Sequence, residues 1–344
     1  MPIAVDLVLA TRPNASTGIE RYAINLFKAL RDIAPDTVAF VDRRSSVLEG
    51  EGIRRVKGGF GGWVSLPFSA QYRAQPISAL ICPAFPPSPI AIFGKTPIYR
   101  IIHDDFPWTR SHAMNARGRL LFKHLEGWMA PRYAALFAPT DLMARNLASI
   151  LKLSVATIGN APGIDLSTAP SPDRRAPQLI AVGTIEPRKN YEAVLALAAD
   201  LPRPWSVAVV GRNGWGKIAT DWERHVQERG GALAWHGHAS DAALLGLYQT
   251  STCFISMSLA EGFNMPLVEA GSLGLPVICS DIEIHRQVAP PWAHLVPLSI
   301  PPSDLSKLVI QVSQNPPAQA EVSAYRQQFG WQSIAARLTH EIAL

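Results

Sequence analysis

Cysteine is scarce, at three in 344 residues. Cys82, Cys253 and Cys279 stand far apart with no CxxC spacing, which excludes a disulfide framework or a structural zinc site as the organising device. A reducing, cytoplasmic setting is the expectation. No apolar run approaches the roughly 18 to 20 residues that span a bilayer, and the opening MPIAVDLVLATRP has no basic region ahead of its apolar stretch. Neither a transmembrane helix nor a signal peptide is read. Charged residues make up only 17% against 48% apolar, the balance of a soluble globular protein rather than a disordered one. A GxGxxG fingerprint and a GxxxxGK[ST] loop are both missing, which disfavours a nicotinamide or flavin site and the phosphate loop of NTPases. Also missing are a nucleic-acid-binding motif, an internal repeat and a low-complexity segment.

What is present is alternation. Short apolar runs such as IAVDLVLA are followed by segments of helical period such as GIERYAINLFKALRDI, where Ile19, Tyr22, Ala23, Leu26 and Leu30 share one stripe. The pattern predicts α/β architecture with mainly parallel sheets. Strand candidates in the second half are QLIAVGT, SVAVVG, TCFISM and LPVICS. The chain is long enough for two domains, and STAPSPDRRAPQ, with Pro170, Pro172 and Pro177, has the composition of a linker between them. The tail AQAEVSAYRQQFGWQSIAARLTHEIAL reads as two helical segments broken near Gly330.

The formal charge of +5 is unevenly spread: residues 1 to 165 hold 19 Lys/Arg against 12 Asp/Glu, and residues 166 to 344 hold 13 against 15. In the first half the cations interleave with rings, in Arg54, Arg55, Lys57, Phe60, Trp63, Phe68 and Tyr72, and again from Arg100 through Trp108, Arg117, Lys123 and Trp128 to Arg132. Two readings stand side by side. Such a surface suits an anionic membrane face, and it is equally the solvated charge around ordinary core aromatics.

Three stretches can carry chemistry. In SLAEGFNMPLVEAGSLGLPVICSD, Pro266 fits the first turn of a helix that Gly271 or Gly274 would end. The amides of Phe263, Asn264 and Met265 then face an anion, with Glu261 in the loop and Glu269 one turn into the helix. The two carboxylates either hold sugar or ribose hydroxyls, or cap the helix and face solvent. In VGTIEPRKN a strand ends in a turn carrying Arg188 and Lys189, cations able to neutralise a leaving diphosphate where a metal would otherwise act, or simply surface charge. In YRIIHDDFP an apolar strand ends at His103, Asp104 and Asp105. The Asp pair lacks DxD spacing for Mg²⁺, and His236 and His238 are too weak a pair for zinc. No metal site is expected.

These stretches and their order resemble the retaining glycosyltransferases of family 4 along nearly the whole chain. The likeness takes in TGIERY, IIHDDFP, APTDLMARNL and IGNAPGID, then VGTIEPRKN, VVGRNGWG, WHGHASDAALLGLYQT, EGFNMPLVE with GLPVICS, and FGWQSIAARL. It implies the GT-B fold: two Rossmann-like domains facing across a cleft, with a C-terminal helix returning to the first. The expected domains are 1–165 for the acceptor, a linker at 166–177, 178–318 for the nucleotide sugar, and crossing-back helices at 319–344.

By resemblance Glu261 contacts the donor sugar and Glu269 the donor ribose. The amides of Gly262, Phe263, Asn264 and Met265 meet the sugar and phosphate, and Arg188 and Lys189 hold the diphosphate beside Gly183. His103 lies beside the reacting sugar, and Gly18 faces phosphate or acceptor. Thr184 stands where many relatives have Arg, and Asn264 where many have Gly.

The implied reaction is metal-independent transfer with retention, the nucleotide-diphosphate sugar serving as co-substrate with no further cofactor. GDP-mannose is the first expectation, UDP-glucose or another sugar the alternative. The acceptor is a glycan or lipid-linked oligosaccharide of surface polysaccharide synthesis, met on the inner face of the membrane, and no nucleic acid is expected as a partner. Competing readings are a glycoside hydrolase or phosphorylase using both glutamates, a nucleotide-sugar epimerase, and a non-catalytic nucleotide-sugar-binding subunit.

Overall fold

The computed structural model describes residues 1–13, 17–110, 116–166 and 176–343, with the backbone alone at Arg117. The chain divides into two compact units, Met1–Ala161 with the segment from Gly330 onward, and Pro162–Phe329. Pro170 and Pro172 of the expected linker lie outside the described residues, as do 14–16 of the glycine turn.

The first unit is built on a seven-stranded parallel sheet, in the order β3-β2-β1-β4-β5-β6-β7. Its strands are β1 Ile3–Leu7, β2 Val38–Asp42, β3 Ile53–Val56, β4 Ala79–Cys82, β5 Ile98–Ile101, β6 Ala135–Ala138 and β7 Ala156–Thr157. The helix Gly18–Ile33 spans the segment of helical period, with Tyr22, Ala23, Leu26 and Leu30 buried. Ile19 is only half-buried. Glu20 is buried too, because its carboxylate accepts from the Thr17 amide at 2.7 Å and pairs with Arg12; capping a helix start gives a buried carboxylate a polar task. Against this helix lies the helix Trp331–Ala343, whose Trp331 ring meets Tyr22 edge-on at 5.1 Å.

The second unit holds a six-stranded parallel sheet, in the order β10-β9-β8-β11-β12-β13. Its strands are β8 Ala176–Val182, β9 Ser206–Val210, β10 Leu233–Trp235, β11 Ser251–Ser256, β12 Val277–Ser280 and β13 His294–Val296. All four strand candidates are strands, and Pro177 stands within β8. Strands covered on both faces need apolar runs rather than alternation, and Leu179, Ile180, Val207, Val209, Phe254 and Ile278 are all buried. The strand order reverses between β8 and β11, the switch point at whose carboxyl end open α/β sheets take ligands.

Part of the expected basic and aromatic surface is interior. Trp63 is buried with its indole N–H on the Pro86 carbonyl at 2.9 Å, and Arg100 is 2% exposed. Phe60, Phe68 and Trp128 are exposed, while the Arg117 side chain lies outside the described residues. The three cysteines are free and buried. Among the described residues no helix is long and apolar enough to cross a membrane.

Candidate functional site

Both carboxyl ends at the β8/β11 reversal carry polar residues. Past β8, the chain turns through Gly183, Thr184 and Ile185 into the single turn Pro187–Lys189. Past β11, it runs through Ser258 and Glu261 to the helix Met265–Ser272. The two segments are joined by a hydrogen bond from the Leu259 amide to the Arg188 carbonyl at 2.8 Å.

Backbone fit at this place is tight. Gly183 has a positive φ of 152°, and a Cβ on Gly211, at the end of β9, would fall 1.8 Å from the Gly183 carbonyl oxygen. Only glycines allow so close an approach. A Cβ on Gly183 would lie 3.0 Å from the Lys189 side chain, so the lysine lies directly over this backbone.

Glu261, 6% exposed, gathers the cations. Its Oε1 accepts from Lys189 Nζ at 2.6 Å and from Ser258 Oγ at 2.7 Å, and its Oε2 accepts from Arg188 Nη1. Arg188 also donates to the Ala260 carbonyl at 3.0 Å and to Glu186 at 2.5 Å. Burial alone would raise the Glu261 carboxyl, but Arg188 and Lys189 outweigh it and hold the group well below the usual carboxylate range. An ionised Glu261 cannot act as a general acid near neutral pH.

Met265 opens the helix and Pro266 occupies its first turn, where a missing amide hydrogen costs nothing. Asn264, the N-cap, is left-handed at φ 75°. The leading amides, from Gly262, Phe263 and Asn264 to Met265, stand where a helix start has no internal acceptors and a partial positive charge. The helix ends at Ser272, so Gly271 lies inside it and Gly274, with φ 70°, follows. Arg326 Nη2 donates to the Ser272 carbonyl at 2.6 Å, a cation at the negative end of the helix dipole.

Glu269 is buried one turn in. Its Oε1 accepts from the Gly163 amide at 2.8 Å and its Oε2 from the Tyr248 hydroxyl at 2.9 Å. Sequence reasoning missed Ser256, Ser258, Tyr248, Gly163 and His285 as polar members of this region. Ser258 opens the motif three residues before Glu261, and Ser256 and His285 stand just outside its two ends; Tyr248 and Gly163 are farther off in sequence and had no local signal.

Gly18 and His103 belong to the first unit, the remaining expected residues to the second. Gly18 starts its helix and is exposed. One turn on, the Tyr22 ring meets His103 edge-on at 4.6 Å. His103 follows β5 and is half-buried, with Nε2 2.6 Å from the Pro83 carbonyl. That carbonyl can only accept, so Nε2 carries the hydrogen and Nδ1 keeps a lone pair. Burial lowers the His103 pKa from 6.5 to about 4, with Arg100 adding to it and the Pro83 hydrogen bond opposing.

Between those two values the unfolded chain binds a proton that the folded one refuses, so stability from this group is full above pH 6.5 and lost as pH falls towards 4. His103→Gln is expected to lack this acid-side loss. Parallel thermal-unfolding curves for the two proteins across that window would overturn the assignment.

His236 and His238 are exposed at the end of β10. Among the described residues no three or more His, Cys, Asp or Glu side chains gather as a metal-binding group.

Residues 168–329 match the family model of glycosyl transferases group 1. A serotype-specific mannosyltransferase WbdA of Escherichia coli is 36% identical over 138 residues, 39% of this chain and 17% of that protein. An O-antigen chain mannosyltransferase B of the same species is 34% identical over 108 residues, 29% of this chain and 28% of that protein. The aligned segments thus span less than a third of these relatives' lengths. A sucrose-phosphate synthase from Thermosynechococcus elongatus superposes over 99% of this chain and 98% of its own, with a TM-score of 0.76 at 17% identity. That superposition shows the fold alone, and the fold class is GT-B.

Proposed function

We propose, from the premise that the second half of this chain belongs with the group 1 glycosyl transferases, that the protein is a retaining, metal-independent glycosyltransferase. The reading is that it moves mannose from GDP-mannose to a glycan or lipid-linked oligosaccharide of a surface polysaccharide. The observation that carries it is the ionised Glu261, bridged by Arg188 and Lys189 at the switch point of the second sheet and standing before a helix start. A sugar diphosphate presents hydroxyls to a carboxylate and two negative phosphates to cations and amides, and this site offers all three. Mannose is favoured by the two Escherichia coli relatives, both named as mannosyltransferases.

In this reading Glu261 orients the sugar, and Arg188 and Lys189 stabilise the charge developing on the diphosphate as the glycosidic bond lengthens. The leaving phosphate takes the acceptor proton on the same face, so configuration is retained without a protein nucleophile. Glu269 and its partners Gly163 and Tyr248 form the ribose end; by resemblance His103 lies beside the reacting sugar and Gly18 faces phosphate or acceptor.

A thermal-shift screen of GDP, UDP, ADP and their sugars tests the donor. Preferential binding to the native state raises Tm by mass action, so GDP-mannose is expected to give the largest shift. A larger shift with a UDP-sugar moves the assignment to that donor. Binding without transfer would favour a non-catalytic subunit.

The acceptor's lipid would be met on the first unit, where Phe60, Phe68, Phe93, Leu120 and Trp128 are exposed. Arg73 lies over the Phe68 ring at 5.2 Å and Arg132 over the Trp128 ring at 4.8 Å. Rings with adjacent cations suit an anionic interface. Flotation with phosphatidylglycerol vesicles but not phosphatidylcholine vesicles is the expected result, and equal behaviour with both sinks the membrane reading.

A further inference from the structure

His285 is 0% exposed, on the short helix Glu283–Val288 that follows β12, and no role above uses it. Its Nδ1 lies 2.8 Å from the Ser280 carbonyl and its Nε2 lies 2.8 Å from Asn264 Nδ2. A carbonyl can only accept, so Nδ1 bears the hydrogen. Burial favours the neutral ring, which leaves Nε2 as an acceptor for one amide hydrogen of Asn264. The other hydrogen of that amide goes to Ser256 Oγ at 2.9 Å. Both donors of Asn264 are therefore committed, one to the element after β12 and one to the end of β11.

Asn264 is also the residue whose backbone is left-handed, at φ 75° and ψ 65°. That conformation is strained for a residue with a side chain, less for asparagine than for most, and it sets the angle at which the chain enters the helix Met265–Ser272. The same polar chain continues to Glu261. Ser256 Oγ is 3.3 Å from Ser258 Oγ, Ser258 donates to Glu261 at 2.7 Å, and Ser280 Oγ holds the Ser258 carbonyl at 2.6 Å.

We propose that His285 is a positioning residue of the donor site, pinning Asn264 in its left-handed turn so that the amides of Phe263 to Met265 and the Glu261 carboxylate are held ready for a sugar diphosphate. The inference rests on the donor-site reading above. It separates two functions at one position: the backbone of residue 264 serves the ligand, while its side chain serves the backbone. Glycine at 264 would adopt the turn unaided, and would make His285 dispensable.

The test measures binding of GDP and UDP by calorimetry, with kcat and KM for transfer and the melting temperature of each protein. The proteins are the wild type, His285→Ala, His285→Gln, Asn264→Gly and the double variant His285→Ala with Asn264→Gly. Releasing this turn is expected to weaken diphosphate binding by roughly tenfold in His285→Ala. His285→Gln, which keeps an acceptor near the place of Nε2, is expected to retain the larger part.

The deciding comparison is the double variant. Once residue 264 is glycine, removing His285 is expected to cost no further affinity, although it still lowers the melting temperature. A purely structural histidine would lower affinity by the same factor in both backgrounds, and that additive result overturns the proposal, as does unchanged binding in His285→Ala. A wild-type protein that binds neither diphosphate overturns the donor-site reading itself, and the inference with it.

Discussion

Under the proposed function, Glu261→Ala and Lys189→Ala are each expected to remove sugar transfer from a protein that still folds. Glu261 is the common partner of two cations, so its removal frees Arg188 and Lys189 to move and, in the proposed reading, loses the contact to the sugar. Lys189→Ala removes the compact charge that lies over Gly183 and leaves Arg188, which is also engaged by Glu186, as the one cation of this pair for the proposed diphosphate. Loss of one preorganised charge at a reacting centre costs about 10² to 10³ in turnover. Glu261→Gln, close in shape but uncharged, is expected to fall by at least about a hundredfold. Turnover is read from released nucleoside diphosphate, and circular dichroism verifies the fold. Full activity in either alanine variant removes the site assignment.

Glu126→Ala is the substitution expected to cost most stability. Arg100 leaves β5 inside the first unit and is 2% exposed, and Glu126 is 1% exposed. The guanidinium donates to Glu126 from Nε and Nη2, at 3.1 and 2.9 Å, and from Nη1 to the Cys82 carbonyl at 3.0 Å. Tyr133 donates to the other carboxylate oxygen at 2.8 Å. Removing one member of a buried pair leaves an uncompensated charge and costs about 3 to 5 kcal/mol. Urea unfolding should show this as a lower midpoint with the slope unchanged. A loss below about 1 kcal/mol would mean that the neighbouring Asp6 takes over as counter-charge. Burial raises the Asp6 pKa to about 7, opposed by the Val8 amide hydrogen bond and by Arg100, so Asp6 lies close enough to do so.

The same pair shows where reading along the chain goes astray. Arg100 and Trp63 looked like members of a basic, aromatic surface because the cations and rings alternate in sequence there. Their partners, Glu126 and the Pro86 carbonyl, lie 26 and 23 residues away, and no local pattern announces a burial that a distant residue makes affordable. Glu20 was overlooked for a related reason: its acceptor role at the helix start overrides the rule that carboxylates face water.

By itself the sequence determined the elements and the neighbourhood of the site. Apolar runs and helical stripes are local properties, so β8, β9, β11, β12 and the helix Gly18–Ile33 were legible, as was the helix that carries Pro266 in its first turn. The order of the motifs placed Arg188, Lys189, Glu261 and Glu269 near the carboxyl ends of those strands. Only the tertiary structure decided which groups meet there. Parallel pairing of β8 with β11 brings residue 188 within a hydrogen bond of residue 259, which turns two cations and a carboxylate from separate motifs into one charged cluster. It also decided that Glu269 faces Gly163 and Tyr248, and that His285 grips Asn264. Polar contacts of this kind form between elements far apart in the chain, and they are fixed by the pairing of strands rather than by any period along them.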